Sequence, residues 1–364
     1  MMQDDLAIYI HWPFCKSKCP YCDFYKEVRN DVNQEEIIAE YLKYLQIYYD
    51  LTSERTIKSI FFGGGTPSLI KPQNVEKIIN FISSKWHINS DVEISLEANP
   101  NSDYENMFQN LKSAGINRLS LGVQALNEAD LRFLGRTHSL KDARDCLTKI
   151  TQIFDNHSAD LIYARPKQKI RDWEKELEEI CLYGLKHLSL YQLTIEEGTV
   201  FARKGVKLPE DEEMVQMYEF TNNFLQKYGY YRYEVSNFSL SGYESKHNLT
   251  YWTGGDYIGI GKSAHGRLTL DNKFYACVYP MQHELLTPEE KAEELIIMGL
   301  RLNKGIDVTK FAEICGIEFE NFVNVKHLEN LITDGFLIKN NNFISATDKG
   351  FPLLNELIKQ LCDR

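Results

Sequence analysis

No stretch of eighteen consecutive apolar residues occurs in the 364 residues, so a membrane-spanning helix is not expected. An excess of basic charge is also missing. Lys and Arg number 41 against 52 Asp and Glu, a net charge of −11, which argues against an extended nucleic-acid-binding surface. The first residues, Met-Met-Gln-Asp-Asp, lack the basic and then apolar pattern of a signal peptide. There are no internal repeats, low-complexity runs or long linkers. Paired cysteines are absent too: of eight, Cys146, Cys181, Cys277, Cys315 and Cys362 stand alone. Scattered single thiols fit a reducing compartment, and the expectation is a cytoplasmic protein with one large and one smaller domain.

The other three cysteines are concentrated in Cys15-Lys-Ser-Lys-Cys19-Pro-Tyr-Cys22, just after the apolar run Leu6–Ile10. Iron–sulfur clusters usually take four cysteine thiolates. Three close thiols without a near fourth suggest a [4Fe–4S] cluster with one iron left open, as a catalytic metal site keeps a position free. Pro13 and Pro20 stiffen this loop, and Phe14, Tyr21 and Phe24 can exclude water. A zinc site would need a fourth ligand, for which His11 is the only nearby candidate.

Strand-like runs and helical periodicities then alternate. Strands are expected at Ile57–Phe62, Val92–Glu97, Arg118–Gln124, Ser158–Tyr163 and His187–Tyr191. Helices are expected over Gln34–Leu51, Pro72–Trp86, Tyr104–Gly115, Glu128–Leu134, Leu140–Phe154 and Trp173–Leu182. Six strands separated by helices predict an α/β chain with a parallel sheet, a partial (β/α)6 barrel. The unusual residues fall toward the C-terminal ends of those strands, where (β/α) barrels assemble chemistry. A helix over 211–228 and an aromatic strand over 230–238 follow. The last part has helices at 289–300, 307–314 and 319–334, a hairpin through Asn340-Asn-Asn342 and a helix at 348–361. This is a smaller, mainly helical, winged-helix-like domain. The expected boundaries are 1–210, 211–285 and 286–364.

The CxxxCxxC spacing with an aromatic before the last cysteine resembles the radical S-adenosylmethionine (SAM) superfamily. The resemblance implies a [4Fe–4S] cluster on Cys15, Cys19 and Cys22, with SAM chelated to the open iron. Gly63-Gly64-Gly65-Thr66-Pro67 lets backbone approach a ligand with no Cβ in the way, although such a turn alone is often only a tight turn. Here it resembles the segment that hydrogen-bonds the methionine amino group. By the same resemblance Glu97, in Glu-Ala-Asn-Pro, would accept from ribose hydroxyls. Gln124 and Arg136 would hold ribose and the SAM carboxylate, Asp160 would add a contact, and Tyr9 and Tyr21 would pack against SAM.

Taken in order, these segments are similar to the oxygen-independent coproporphyrinogen III oxidases and their relatives over essentially the whole chain. The true oxidases carry a further cysteine two positions after the third, and a longer N-terminal extension. Here Phe24 stands at that position and fourteen residues precede Cys15. Both features resemble the other branch, the heme chaperones, as does the HNxxYW motif in His247-Asn248-Leu-Thr-Tyr251-Trp252. The resemblance implies heme bound near His247, with His265 a second candidate ligand, and a heme-accepting protein as partner. That acceptor is expected to be respiratory and membrane-associated, and a homodimer is compatible with the resemblance. The rival expectation is an enzyme that decarboxylates coproporphyrinogen III through SAM-derived radical chemistry. One departure stands out: Ala164-Arg165-Pro166 replaces the usual Gly-Leu-Pro, and Arg165 is expected to alter contacts near the SAM pocket.

Overall fold

The computed structural model describes residues 4–29, 31–101 and 104–363; of the Met-Met-Gln-Asp-Asp start, residues 1–3 lie outside the described residues. Strands β1 (Asp5–Trp12), β2 (Thr56–Gly64), β3 (His87–Ala98), β4 (Arg118–Gln124), β5 (Asn156–Tyr163) and β6 (His187–Gln192) lie side by side in chain order. All five pairings among them are parallel. Between them run α1 (Gln34–Thr52), α2 (Pro72–Lys85), α3 (Tyr104–Ser113), α4 (Glu128–Phe133), α5 (Leu140–Ile153) and α6 (Ile170–Leu182). The alternating β/α pattern thus folds as read.

Local chemistry explains where these elements begin. Asn33 caps α1 by accepting from the Glu36 N–H, and Ser139 and Asp142 form a reciprocal capping box on α5. Helix α1 turns Ile38, Tyr41, Leu45 and Tyr48 inward at three- and four-residue spacing. Those rows pack on a sheet whose β1 residues Leu6, Ile8 and Ile10 are fully buried. A parallel sheet covered by helices reads as near-continuous apolar strands for this reason. Each such side chain contributes about 1.5–3 kcal/mol of burial.

The stretch after the sixth strand extends the same sheet at both edges. The segment β7 (Tyr231–Arg232) and β8 (Asn237–Ser239) is a hairpin on β6, where one strand over 230–238 was expected. It folds back because Tyr233 N–H donates to the Asn237 carbonyl and the Glu234 carboxylate accepts from the Ser236 N–H. On the far side, β9 (Tyr257–Ile260) pairs parallel with β1 and becomes a seventh parallel strand. The antiparallel strands β10 (His265–Leu270), β11 (Lys273–Val278) and β12 (Gln282–Leu286) continue from it. Twelve strands result, and among the described residues no pairing closes the sheet into a full barrel.

From Pro288 the chain forms a mainly helical unit with its own apolar core, including Leu295, Phe311, Phe319, Leu331 and Leu357. A small three-stranded sheet (Ile306–Asp307, Leu337–Asn340, Phe343–Ala346) completes it, as a winged-helix arrangement requires. Two helices differ from expectation. The span 319–334 breaks into Phe319–Phe322 and Val325–Thr333, because Val323 is extended and Asn324 recaps the chain by accepting from the His327 N–H. The last α-helix begins at Leu354 rather than 348, after a short turn holding Pro352.

Candidate functional site

The cysteine loop leaves β1 at the C-terminal edge of the sheet. It is closed on itself by backbone bonds: Glu27 N–H to Pro13 O (2.7 Å), Arg29 N–H to Cys15 O (3.3 Å) and Cys22 N–H to Cys19 O (3.2 Å). Lys26 Nζ ties the loop by donating to Cys22 O (2.7 Å) and Phe24 O (3.2 Å). All three thiols are unpaired with one another. Donors converge on two of them: Thr66 Oγ1 on Cys15 Sγ (3.4 Å) and Arg136 Nη1 on Cys19 Sγ (3.6 Å). Asn99 links the two donors, giving to Thr66 Oγ1 and accepting from Arg136 Nη2. Burial pushes the Cys15 thiol up, and the Thr66 bond pulls it back. Donors aimed at sulfur favour thiolate and tune cluster potentials.

This donor set fits a cluster. Cys15, Cys19 and Cys22 would hold it, with Thr66 and Arg136 as donors to two of the thiols. His11, the candidate fourth zinc ligand, has both ring nitrogens engaged, by Tyr9 OH (3.1 Å) and Tyr25 O (3.3 Å).

The glycine run packs against this loop backbone to backbone. Gly65 N–H donates to Trp12 O (2.7 Å) and Thr66 N–H to Phe14 O (3.0 Å). A Cβ at Gly65 would lie 2.8 Å from Phe14 O, and one at Gly64 2.6 Å from the His11 ring. Gly64 also has φ +108°, a conformation side chains avoid. Its N–H donates to Glu97 Oε2 (3.3 Å), so the glycine segment and the strand-end carboxylate meet.

Beside the loop opens a cavity of about 450 Å³, within the size range of small-molecule sites. Tyr9, Tyr25, Phe61, Tyr251 and Tyr257 supply aromatic walls, and Glu97, Asp160, Arg118, Ser120 and Ser189 a polar floor. Phe24 stands at its mouth with 64% exposure. Register explains the floor: Glu97 lies opposite Ser120 on β4, and Asp160 opposite Ser189 on β6. Ser120 Oγ donates to Asp160 Oδ1 (3.0 Å). Burial, then the neighbouring Asp160, pushes the Glu97 carboxyl up to about 8. Burial also raises Asp160, partly offset by its serine donors. Two carboxyls facing one cavity, one of them near neutrality, can accept from hydroxyls or pair with a cationic ligand.

The HNxxYW segment is a short helix, α7 (Lys246–Trp252), lying over β2. Ser245 caps it, and the Glu93 carboxylate accepts from the Lys246 and His247 N–H groups. The helix divides its motif. His247, Asn248 and Tyr251 face the cavity, whereas Trp252 faces a separate cavity of about 120 Å³ against Leu295, Gly299 and Phe311. His247 is buried and stacks on Phe61 with centroids 5.0 Å apart. Its Nδ1 is bonded to Ser59 Oγ (2.8 Å) and its Nε2 to Tyr251 OH. Burial drives its pKa down to about 3, so the ring is neutral.

Of the residues expected around SAM, Tyr9, Gly64, Glu97 and Asp160 line the cavity. Gly65, Thr66 and Arg136 belong to the cysteine cage. Tyr21 packs on Phe201 and accepts from Arg136, and Gln124 sits at the end of β4 with φ 71°. Arg165 does not line the cavity but is completely buried, paired with Glu176 and with Asp130 Oδ2 (3.0 Å), and donates to Ile162 O (2.8 Å) and to O of Gln124 (3.5 Å), one of the residues expected at SAM. Sequence reading missed Glu93 and Arg118, buried inside strands, and Ser59, Ser120 and Ser189, small polar residues on inward faces. Their only signal was a polar residue interrupting an apolar strand.

Residues 9–180 match the radical SAM superfamily model, and residues 286–353 the HemN C-terminal domain. The chain is 36% identical to heme chaperone HemW of Buchnera aphidicola (Schizaphis graminum), covering 98% of both chains. It is 34% identical to heme chaperone HemW of Lactococcus lactis, over 99% of this chain and 98% of the relative. It is also 32% identical to the mitochondrial radical S-adenosyl methionine domain-containing protein 1 of Bos taurus, over 98% and 87%. Among solved structures, coproporphyrinogen III oxidase (HemN) of Escherichia coli superposes with a TM-score of 0.82 at 21% identity, covering 99% of this chain and 90% of that one. That likeness establishes the fold. With three cysteines on one loop and relatives matched end to end, the chain belongs to the HemW family of radical SAM proteins, a family that implies a [4Fe–4S] cluster and SAM.

Proposed function

We propose that this chain is a heme chaperone, binding heme at the aromatic-walled cavity and passing it to an acceptor heme protein. The observation that carries the reading is Phe24, which stands exposed at the cavity mouth where the oxidase branch has a cysteine. The full-length relatives named heme chaperone support the same choice. Phe61, Tyr251 and Tyr257 offer broad apolar faces to a macrocycle, and His247 and Asn248 complete that wall. Trp252 secures the far end of the same helix.

Cys15, Cys19 and Cys22 would hold the cluster. Gly64, Gly65, Thr66, Glu97, Gln124, Arg136 and Asp160, with Tyr9 and Tyr21, would hold SAM. Bound together, cluster and SAM supply one-electron chemistry at the sulfonium. The chain's own residues fix the thiols, screen them from water and present backbone and carboxyl acceptors. In this reading residues 1–210 form the SAM unit, 211–285 bring the heme motif to it, and 286–364 form the C-terminal domain. The acceptor would be a respiratory, membrane-associated heme protein served from the cytoplasm, with the chaperone free to act as a homodimer. No helix among the described residues is long and apolar enough to cross a membrane, so membrane contact would come through that acceptor.

Transfer is the test. Heme-loaded protein is mixed with the apo form of a b-type heme protein, and the acceptor's absorbance is followed. Appearance of holo-acceptor supports the proposal; heme that is never bound, or never released to any acceptor, overturns it.

A further inference from the structure

Four imidazoles line the cavity: His11, His187, His247 and His265. A ring can ligate heme iron only through a nitrogen whose lone pair is free. In three of the four both nitrogens are engaged. His11 is held by Tyr9 OH and Tyr25 O, and His187 by Ser158 Oγ (2.7 Å) and Tyr233 OH (2.8 Å). His247 is held by Ser59 Oγ and Tyr251 OH. Turning the His247 ring toward a metal would strand one of those hydroxyls in the interior, which protein structures avoid.

His265 is different. Its side chain is exposed at the cavity rim, and among the described residues its ring has no hydrogen-bond partner. Its backbone is nonetheless fixed. His265 opens β10 and pairs with Val278 on β11. The turn before it is closed by Ala264 N–H to Gly261 O (2.9 Å), and Tyr279 N–H donates to Ala264 O (2.9 Å). Across the sheet, Gly259 allows close approach: a Cβ there would lie 2.3 Å from His265 O. An exposed ring without a hydrogen-bond partner on a fixed strand start, at the rim of the aromatic-walled cavity, suits a ligand that must bind and release a metal.

We propose that His265, not His247, supplies the imidazole to heme iron. His247 acts as a positioning residue that holds Phe61 and Tyr251 in the wall. This assignment rests on the heme-chaperone reading of the cavity.

The test is heme titration of the full-length, cluster-loaded protein, read by the Soret band and by electron paramagnetic resonance. His265→Ala is expected to weaken heme binding at least about tenfold and to change the iron's spin state, with added imidazole restoring the wild-type spectrum. Retention of the cluster's absorbance shows that the variant is folded. His247→Ala is expected to keep the imidazole-ligated spectrum while binding more weakly. Heme whose spectrum and affinity are unchanged in His265→Ala overturns this assignment alone, as does ligand loss in His247→Ala that imidazole repairs. Wild-type protein that binds no heme overturns the chaperone reading and the assignment together.

Discussion

Replacing Arg165 with leucine, the residue usual in the resembling family, should destabilise this chain while leaving its cluster in place. The guanidinium is completely buried, yet it bonds Glu176, Asp130 and the Ile162 carbonyl, tying the end of β5 to α4 and α6. Glu176 is buried as well and also accepts from Leu126 N–H (2.8 Å). Arg165→Leu would leave that carboxylate without its cation, and breaking a buried pair from one side costs about 3–5 kcal/mol. For a domain of this size that is a fall of about 5–10 °C in Tm. Burial already pushes the Glu176 carboxyl up, with Arg165 pulling it back. A protonated Glu176 needs no cation, so the loss should shrink as pH falls toward the ordinary carboxylate range. Thermal unfolding across pH measures this, and a second variant, Arg165→Leu with Glu176→Leu, should recover most of the loss. The reasoning fails if the single variant is as stable as wild type at neutral pH, or if it loses cluster iron while remaining folded.

Further expectations concern the site. Cys19→Ser should abolish the brown cluster chromophore; full iron content in a folded variant would contradict the ligand assignment. Glu97→Gln should flatten the pH dependence of SAM-free stability. The Glu97 carboxyl is raised from 4.5 to about 8 in the fold, so its contribution is complete below 4.5 and is lost as pH climbs through about 8. An unchanged Tm-against-pH curve in the variant would refute the shift. His247→Ala should cost about 2–5 kcal/mol, since it opens a cavity beside Phe61 and leaves the Ser59 and Tyr251 hydroxyls without partners; urea unfolding measures it, and a loss below 0.5 kcal/mol would show that the hydroxyls re-pair.

The central sheet was readable because its strands are apolar runs bounded by glycine and polar turns, and its helices carry clean three- and four-residue spacing. Strand β9 was hidden because Tyr257-Ile-Gly-Ile260 is short and glycine-containing, and its partner β1 lies about 250 residues away in sequence. Asn324 concealed a helix break, since a capping residue inside a periodic pattern looks like a surface polar residue. At the site, the cysteines, glycines, Glu97 and Asp160 were visible through spacing and position at strand ends. Glu93 and Arg118 were not: Glu93 gains its N–H partners only when α7 folds over the sheet, and Arg118 meets Glu93 only when β3 and β4 pair. Trp252 shows the limit of motif reading: one residue beyond Tyr251, the helix turns it to the opposite side.

The most direct test of the central claim is anaerobic reconstitution of the cluster, followed by separate incubation with heme and with coproporphyrinogen III, SAM and a reductant. The account predicts stoichiometric heme binding and no protoporphyrinogen. Steady turnover of coproporphyrinogen III would contradict it, and Phe24 at the cavity mouth would no longer distinguish this chain from the oxidases.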